Sequence, residues 1–265
     1  MDSTRDPAPG TRPVGRHGLD VEIAVQGVDG ACVARAAGAT RVELCTALDL
    51  GGLTPSFGAV RAAVQDARRA GADDVHVLVR PRPGDFVFSR GERDVMADDI
   101  AELAALGVAG VVIGALTEDG ELDRRTLESL LMAAGDLTVT FHRAVDRATE
   151  RPGLISELAD LGVHRVLTSG RAKSSADGLA VLAGFVSESD GRVEIMAGGG
   201  VTVESIPSLA AVGVDAIHLS ARAAADRSFG SGPGGGDDGH DVTDPELVAR
   251  AVAAARDRTH APKSL

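Results

Sequence analysis

The chain has 265 residues, with 27 Lys+Arg against 39 Asp+Glu, 44% hydrophobic residues, two cysteines and neither Trp nor Tyr. A formal net charge of −12 cannot supply the phosphate-neutralising surface that general nucleic-acid or anionic-membrane binding requires, so neither is expected as a partner. No apolar run approaches the roughly 20 residues of a membrane helix and the first residues form no hydrophobic leader, so a soluble cytoplasmic protein is expected.

Residues 1–18, rich in Pro and Gly, lack periodicity and read as a disordered lead. From there, short β-branched or apolar runs alternate with amphipathic stretches. Strands are expected at 21–25, 41–45, 75–80, 109–114, 137–142, 165–168, 193–197 and 216–220. Helical stretches fall between them, at 30–37, 55–70, 92–106, 123–134 and 152–161, several closed by Ala-Gly, Leu-Gly or Val-Gly in the manner of a C-cap. A glycine-rich loop at 230–239 precedes a last helix at 245–255, and 259–265 reads as a tail. Eight strand-helix units with near-continuously apolar strands argue for a parallel sheet covered on both faces. An α/β (β/α)8 TIM barrel, one domain spanning 19–258, is the simplest closure at this length. A doubly wound open sheet would need edge strands, and none of the eight is conspicuously polar or broken by Pro.

Barrel chemistry sits at the carboxyl ends of the strands, so alternate residues there are the informative ones. Glu22 and Ala24 share a face on the first strand, and Glu43 and Cys45 on the second. The third runs His76, Leu78, Arg80 into a proline-stiffened loop carrying Arg82 and Asp85. The fifth ends at His142-Arg143 with Asp146 close behind, the sixth at Thr168-Ser169-Gly170, the seventh at Gly198-Gly199-Gly200 and the eighth at His218. Charged groups pointing into a barrel must be partnered, either in a structural salt-bridge network or in a functional pocket. The triple glycine and the Thr168-Ser169-Gly170 loop suit an oxyanion, although three glycines also simply permit a tight turn. Cys45 is expected inward, with Met196 as a second soft ligand that would suit Cu(I). Cys32 reads as core, and no zinc spacing or nucleotide-cofactor motif is present. Of the two lysines, Lys173 falls in a loop and Lys263 near the end, which argues against a Schiff-base enzyme.

Six segments in unbroken order carry a resemblance: Arg41-Val-Glu-Leu-Cys45 with Gly51-Gly-Leu-Thr-Pro-Ser56, Arg80-Pro-Arg-Pro-Gly-Asp-Phe86, Val139-Thr-Phe-His-Arg-Ala144, Val166-Leu-Thr-Ser-Gly170 and Ile195-Met-Ala-Gly-Gly-Gly-Val201. Over about residues 20 to 222 the chain resembles the CutC copper-homeostasis family. The resemblance implies a (β/α) barrel, a cytoplasmic homo-oligomer and a role in copper handling with Cu(I) bound through cysteines. Members of that family often carry a cysteine where this chain has Ala24, so a two-thiolate site cannot form from residues 24 and 45. Two readings follow. As a copper protein the chain would bind Cu(I) through Cys45 and Met196. As an enzyme of lyase or isomerase type it would hold a small anionic, perhaps phosphorylated, metabolite on Arg82, Asp85, Thr168, Ser169, Gly170, Gly198, Gly199, Gly200 and His218. His142 would then be the general acid/base, Glu22 or Glu43 its carboxylate partner and Arg80 a clamp.

Overall fold

The computed structural model describes residues 18–225 and 240–257. The expected lead up to residue 17, the glycine-rich loop at 230–239 and the tail at 259–265 lie outside the described residues.

Eight parallel strands close on one another in chain order: β1 (Asp20–Val25), β2 (Arg41–Leu44), β3 (Val75–Leu78), β4 (Gly110–Ile113), β5 (Thr138–Phe141), β6 (Arg165–Thr168), β7 (Glu194–Gly198) and β8 (Ala216–Leu219). Pairing of β1 with β8, Glu22 opposite His218, completes the barrel. Around it pack α1 (Val28–Ala36), α2 (Phe57–Arg69), α3 (Arg90–Leu106), α4 (Arg124–Ala134), α5 (Leu154–Asp160), α6 (Leu179–Ser189), α7 (Ile206–Ala211) and α8 (Pro245–Arg256). This is the expected (β/α)8 architecture. No described helix is long and apolar enough to cross a membrane.

Boundaries shift where local chemistry overrides periodicity. Helix α3 begins two residues before the expected start because Ser89 and Glu92 form a capping box, each side chain bonding the other's backbone N–H. Strand β3 ends before Arg80 because the Arg80 N–H turns to the Thr54 hydroxyl at 2.8 Å. A short antiparallel ribbon, β9 (Arg222–Ala224) with β10 (Asp241–Thr243), was not legible beforehand.

Residues facing outward from the strands, such as Ile23, Val42, Val77, Val111, Phe141 and Ile195, are fully buried against the helices and form the main core. The inward-facing set is different. Strand registers place Arg41, Gly110, Arg165 and Ala216 in the lowest layer and Glu22, His76, Thr140 and Met196 above them. Next come Glu43, Val112, Leu167 and His218, and then Ala24, Leu78, His142 and Gly198. Two small apolar clusters, Cys45 with Leu78 and Val112, and Leu167 with Met196 and Ala216, fill the space between the polar groups.

Candidate functional site

The lower interior is a closed network of ion pairs. Arg41 donates Nε–H to Glu22 Oε2 at 2.9 Å, and His218 Nδ1 lies 2.8 Å from Glu22 Oε1. Arg165 donates to Glu194 at 2.8 Å and to the Thr140 hydroxyl at 3.0 Å. Burial alone would raise the Glu22 pKa, but the His218 hydrogen bond and the Arg41 charge more than reverse this and hold it well below the carboxylate range. Burial also works against a charged His218, yet Glu43 and Glu22 raise its pKa above the ordinary imidazole value. Its Nε2 faces Glu43 Oε2 at 3.8 Å. Burial pushes Glu43 up to about 7, with His218 pulling it back and Glu22 adding to the rise.

Ligand atoms of Glu22, Glu43 and His218 all lie within 4.8 Å of one another, a spacing a cation can bridge. Both Glu22 oxygens are already taken, however, one by a guanidinium and one by an imidazole N–H. A metal ion would compete with one of these partners for a Glu22 oxygen, and in this structure the trio takes part in the salt-bridge network.

Above it, at the carboxyl ends of the strands, opens a cavity of about 460 Å³, within the size range of small-molecule sites. Glu43 and His218 form part of its floor, and Arg80, Phe86, His142, Arg143 and Arg222 line it together with the backbone of Gly199 to Val201. His142 caps the 3-10 turn Arg143–Asp146, its Nδ1 accepting the Ala144 N–H at 3.2 Å. Burial and the neighbouring Arg80 charge push its pKa down to about 3, so the ring is neutral at pH 7. Gly114 makes room for it, since a Cβ there would overlap the imidazole, and the Phe86 ring packs with its centroid 4.7 Å away. Gly110 admits the His76 ring in the same way.

Arg80 donates to the carbonyl oxygens of Leu50, Gly51, Gly52 and Gly84 and lies 5.2 Å over the Phe86 ring. It pins the loop after β2, where Gly51 and Gly52 both have positive φ. Its hydrogen-bond partners are carbonyls, so its charge leaves the cavity cationic. Arg143 reaches Asp146 at 2.9 Å and Ser169 at 2.8 Å, while Arg222 bridges Asp49 and Asp241.

Several expected site residues go elsewhere. The oxyanion held by the Thr168-Ser169-Gly170 loop is the protein's own Asp146, which accepts from the Thr168 hydroxyl at 2.6 Å, the Ser169 N–H and hydroxyl, and the Arg171 N–H. These donors are consumed internally, and Gly170 itself packs on Gly178. Arg82 is bound to Glu92, Asp85 and the Val87 carbonyl, so the Arg82–Asp85 pair braces the start of α3 and does not line the cavity. Glu22 lies beneath the cavity in the closed network. Gly199 and Gly200, both at positive φ, do line it, and Gly198 has no room for a Cβ beside Leu167 and His218.

The structure does not bring the two sulfurs together. Met196 Sδ accepts from Arg41 at 3.7 Å in the second layer. Cys45 Sγ sits higher, toward the Val25 carbonyl, in the other apolar cluster, with β1 and β8 between its strand and that of Met196. Burial, followed by the Glu43 charge, drives the Cys45 thiol pKa up, so it is held protonated. These residues do not fit a Cu(I) ion.

Arg143, Arg222, Phe86 and Asp146 were missed as site residues. Arg143 adjoins His142 and was visible as a candidate. Arg222 acquires its place only through the β9–β10 ribbon.

The family model "CutC family" matches residues 19–223. A CutC family protein of Xanthomonas axonopodis pv. citri is 43% identical over 205 residues, covering 77% of this chain and 84% of that one. One from Mesorhizobium japonicum is 41% identical over 246 residues, 89% of this chain and 94% of its own. Among solved structures, a CutC protein from Streptococcus agalactiae superimposes with a TM-score of 0.72 at 31% identity, over 76% of this chain and 98% of that chain. With its barrel, its strand-end motifs and these relatives in agreement, the chain belongs to the CutC family.

Proposed function

We propose that this CutC-family chain is an acid/base enzyme acting on a small anionic metabolite bound at the mouth of the barrel. The observation that carries this reading is Glu43, a carboxyl poised near neutrality on the floor of a cavity whose wall holds the Arg80 guanidinium, bonded only to carbonyl oxygens. A group with a pKa near the working pH both takes and returns a proton efficiently. Half-buried His218 sits beside it as a second proton carrier, anchored through Glu22 to Arg41. Arg80, whose partners are carbonyls, favours a negatively charged ligand, while Arg143 and Arg222 are balanced by Asp146 and by Asp49 and Asp241. Relative to the roles expected from sequence, Glu43 replaces His142 as the proton-moving group, and Arg80 acts on its loop and on the local charge more than as a direct clamp.

The name of the Streptococcus relative refers to copper homeostasis. The copper reading requires a thiolate and a second soft ligand within reach of one ion. Here a protonated thiol and a thioether lie in separate clusters, which favours the enzyme reading.

Two measurements test it. A panel of phosphorylated sugars and carboxylated metabolites is screened for a rise in Tm and for turnover by NMR. At least one anionic class should stabilise the protein, and Glu43→Gln should remove turnover while leaving that stabilisation. An anaerobic Cu(I) titration against a chelator, wild type beside Cys45→Ser, should show no competition from either. Stoichiometric Cu(I) binding lost in Cys45→Ser would overturn the proposal in favour of copper handling.

A further inference from the structure

Two side chains that line the cavity carry a buried polar atom without a partner among the described residues, Arg80 Nε and His142 Nε2, and the second defines the chemistry the cavity would take. His142 is 5% exposed, and its Nε2 is buried without a hydrogen bond. Because Nδ1 accepts the Ala144 N–H, it carries no proton, and the neutral ring therefore holds its hydrogen on Nε2. A buried N–H without an acceptor is destabilising, and such groups are rare in folded proteins. The surroundings nonetheless keep the ring in place: Gly114 leaves space for it, the 3-10 turn fixes Nδ1, and Phe86 closes over it beneath Arg80.

A neutral imidazole of this kind is a poor base, since its lone pair is engaged. It is suited to donating to an oxygen that gains negative charge, a use in which an imidazole outperforms an imidazolium because its own pKa better matches that of an enol. The nearby Arg80 guanidinium, bonded to carbonyls, favours the same charge. Glu43 stands in the same cavity as a carboxylate able to move a proton. The one lysine among the described residues, Lys173, is exposed on the β6–α6 loop, so an iminium is not available to stabilise a carbanion.

Building on the acid/base reading above, we infer that the substrate is an enolisable carbonyl compound bearing an anionic group, its carbonyl oxygen received by His142 Nε2–H while Glu43 moves the proton of the adjoining carbon. The Glu43 carboxylate takes that proton, the C–H electron pair becomes the carbon–carbon double bond, and the carbonyl π pair moves onto oxygen. Return of the proton to the same carbon gives exchange with solvent; where that carbon bears a hydroxyl, transfer of the hydroxyl proton to the former carbonyl oxygen, with the carbon proton delivered to the former carbonyl carbon, gives isomerisation. The sequence is redox-neutral and needs no co-reactant.

The test uses the full chain in D2O with dihydroxyacetone phosphate, ribulose 5-phosphate, fructose 6-phosphate and 2-oxobutyrate, following loss of the α-C–H signal by proton NMR. Exchange of at least one compound well above the buffer rate is expected. His142→Phe should slow it by about 10²–10³-fold with little change in KM, and His142→Gln, whose amide can still donate, should retain more of it. Equal loss in both variants overturns the role of His142. No exchange across the panel, while one of these anions still raises Tm, overturns the inference and leaves the acid/base reading standing. No exchange and no stabilisation by any of them overturns both.

Discussion

The lower and upper halves of the barrel interior are built from the same residue types and behave oppositely. Below, Arg41, Glu22 and His218, and Arg165, Thr140 and Glu194, satisfy one another at hydrogen-bond distance, and His76 Nδ1 beside them is the one buried side-chain nitrogen of this half without a partner among the described residues. Above, His142 Nε2 and Arg80 Nε are buried without partners and the space beside them is a cavity. Charge in a barrel is therefore not in itself a sign of chemistry. The closed half is a structural plug that keeps strongly polar side chains compatible with burial. The open half leaves donors and a near-neutral carboxyl facing a cavity, which is what a ligand site requires.

The comparison is broken most severely by removing one member of the plug. Arg41→Met leaves the Glu22 carboxylate buried with His218 alone, and a loss of about 3–5 kcal/mol in urea or guanidinium unfolding is expected. His142→Phe, in the open half, deletes the unsatisfied Nε2 donor but also the Nδ1 acceptor of the Ala144 N–H, so a smaller loss of about 1–2 kcal/mol is expected. Equal destabilisation by the two would erase the distinction. Asp146→Asn tests the boundary between the halves. It turns an acceptor into a donor against Thr168, Ser169 and Arg143, and about 2–3 kcal/mol should be lost by the same measurement, with weaker anion binding as Arg143 loses its anchor.

Acidification separates the halves by sign. His76 and His142 have folded pKa values near 3, below the ordinary 6.5, so unfolding takes up their protons between those limits. Each ring lowers stability by roughly 1.4 kcal/mol per pH unit as pH falls through that window. Glu43 works the other way: with a folded pKa raised to about 7, the stability from its protonated form is full below about 4.5 and lost as pH rises to 7. Glu22, depressed in the folded state, adds to the loss on acidification below its ordinary range. Chemical denaturation as a function of pH should accordingly show a shallow decline from pH 6.5 to 4.5 and a steeper one below. Cys45→Ser should cost about 1–2 kcal/mol for burying a hydroxyl among Leu78 and Val112, with turnover retained.

The architecture was largely legible because barrel strands are buried on both faces and so read as short apolar runs, and because glycine marks the helix ends. Inward positions followed from parity: Glu22, Glu43, Arg80 and His142 are buried and His218 is half-buried, as their i, i+2 spacing implied. Partnership was not legible. That Thr168 and Ser169 spend their hydroxyls on Asp146, 22 and 23 residues away, depends on how the loops after β5 and β6 meet. Likewise Arg82 reads as a free guanidinium until α3 presents Glu92 beside it. Neither the separation of Cys45 from Met196 nor the orphaned Nε2 of His142 has a signature in residue order, although glycines 110 and 114, four apart on one strand face, mark where two rings need room.

Nitrogen-15 NMR of the histidine rings between pH 5 and 8 tests the central claim most directly. The account predicts His142 neutral throughout with its proton on Nε2, and His218 titrating above the ordinary imidazole value within the plug. A His142 that titrates near 6.5, or that carries its proton on Nδ1, would contradict it.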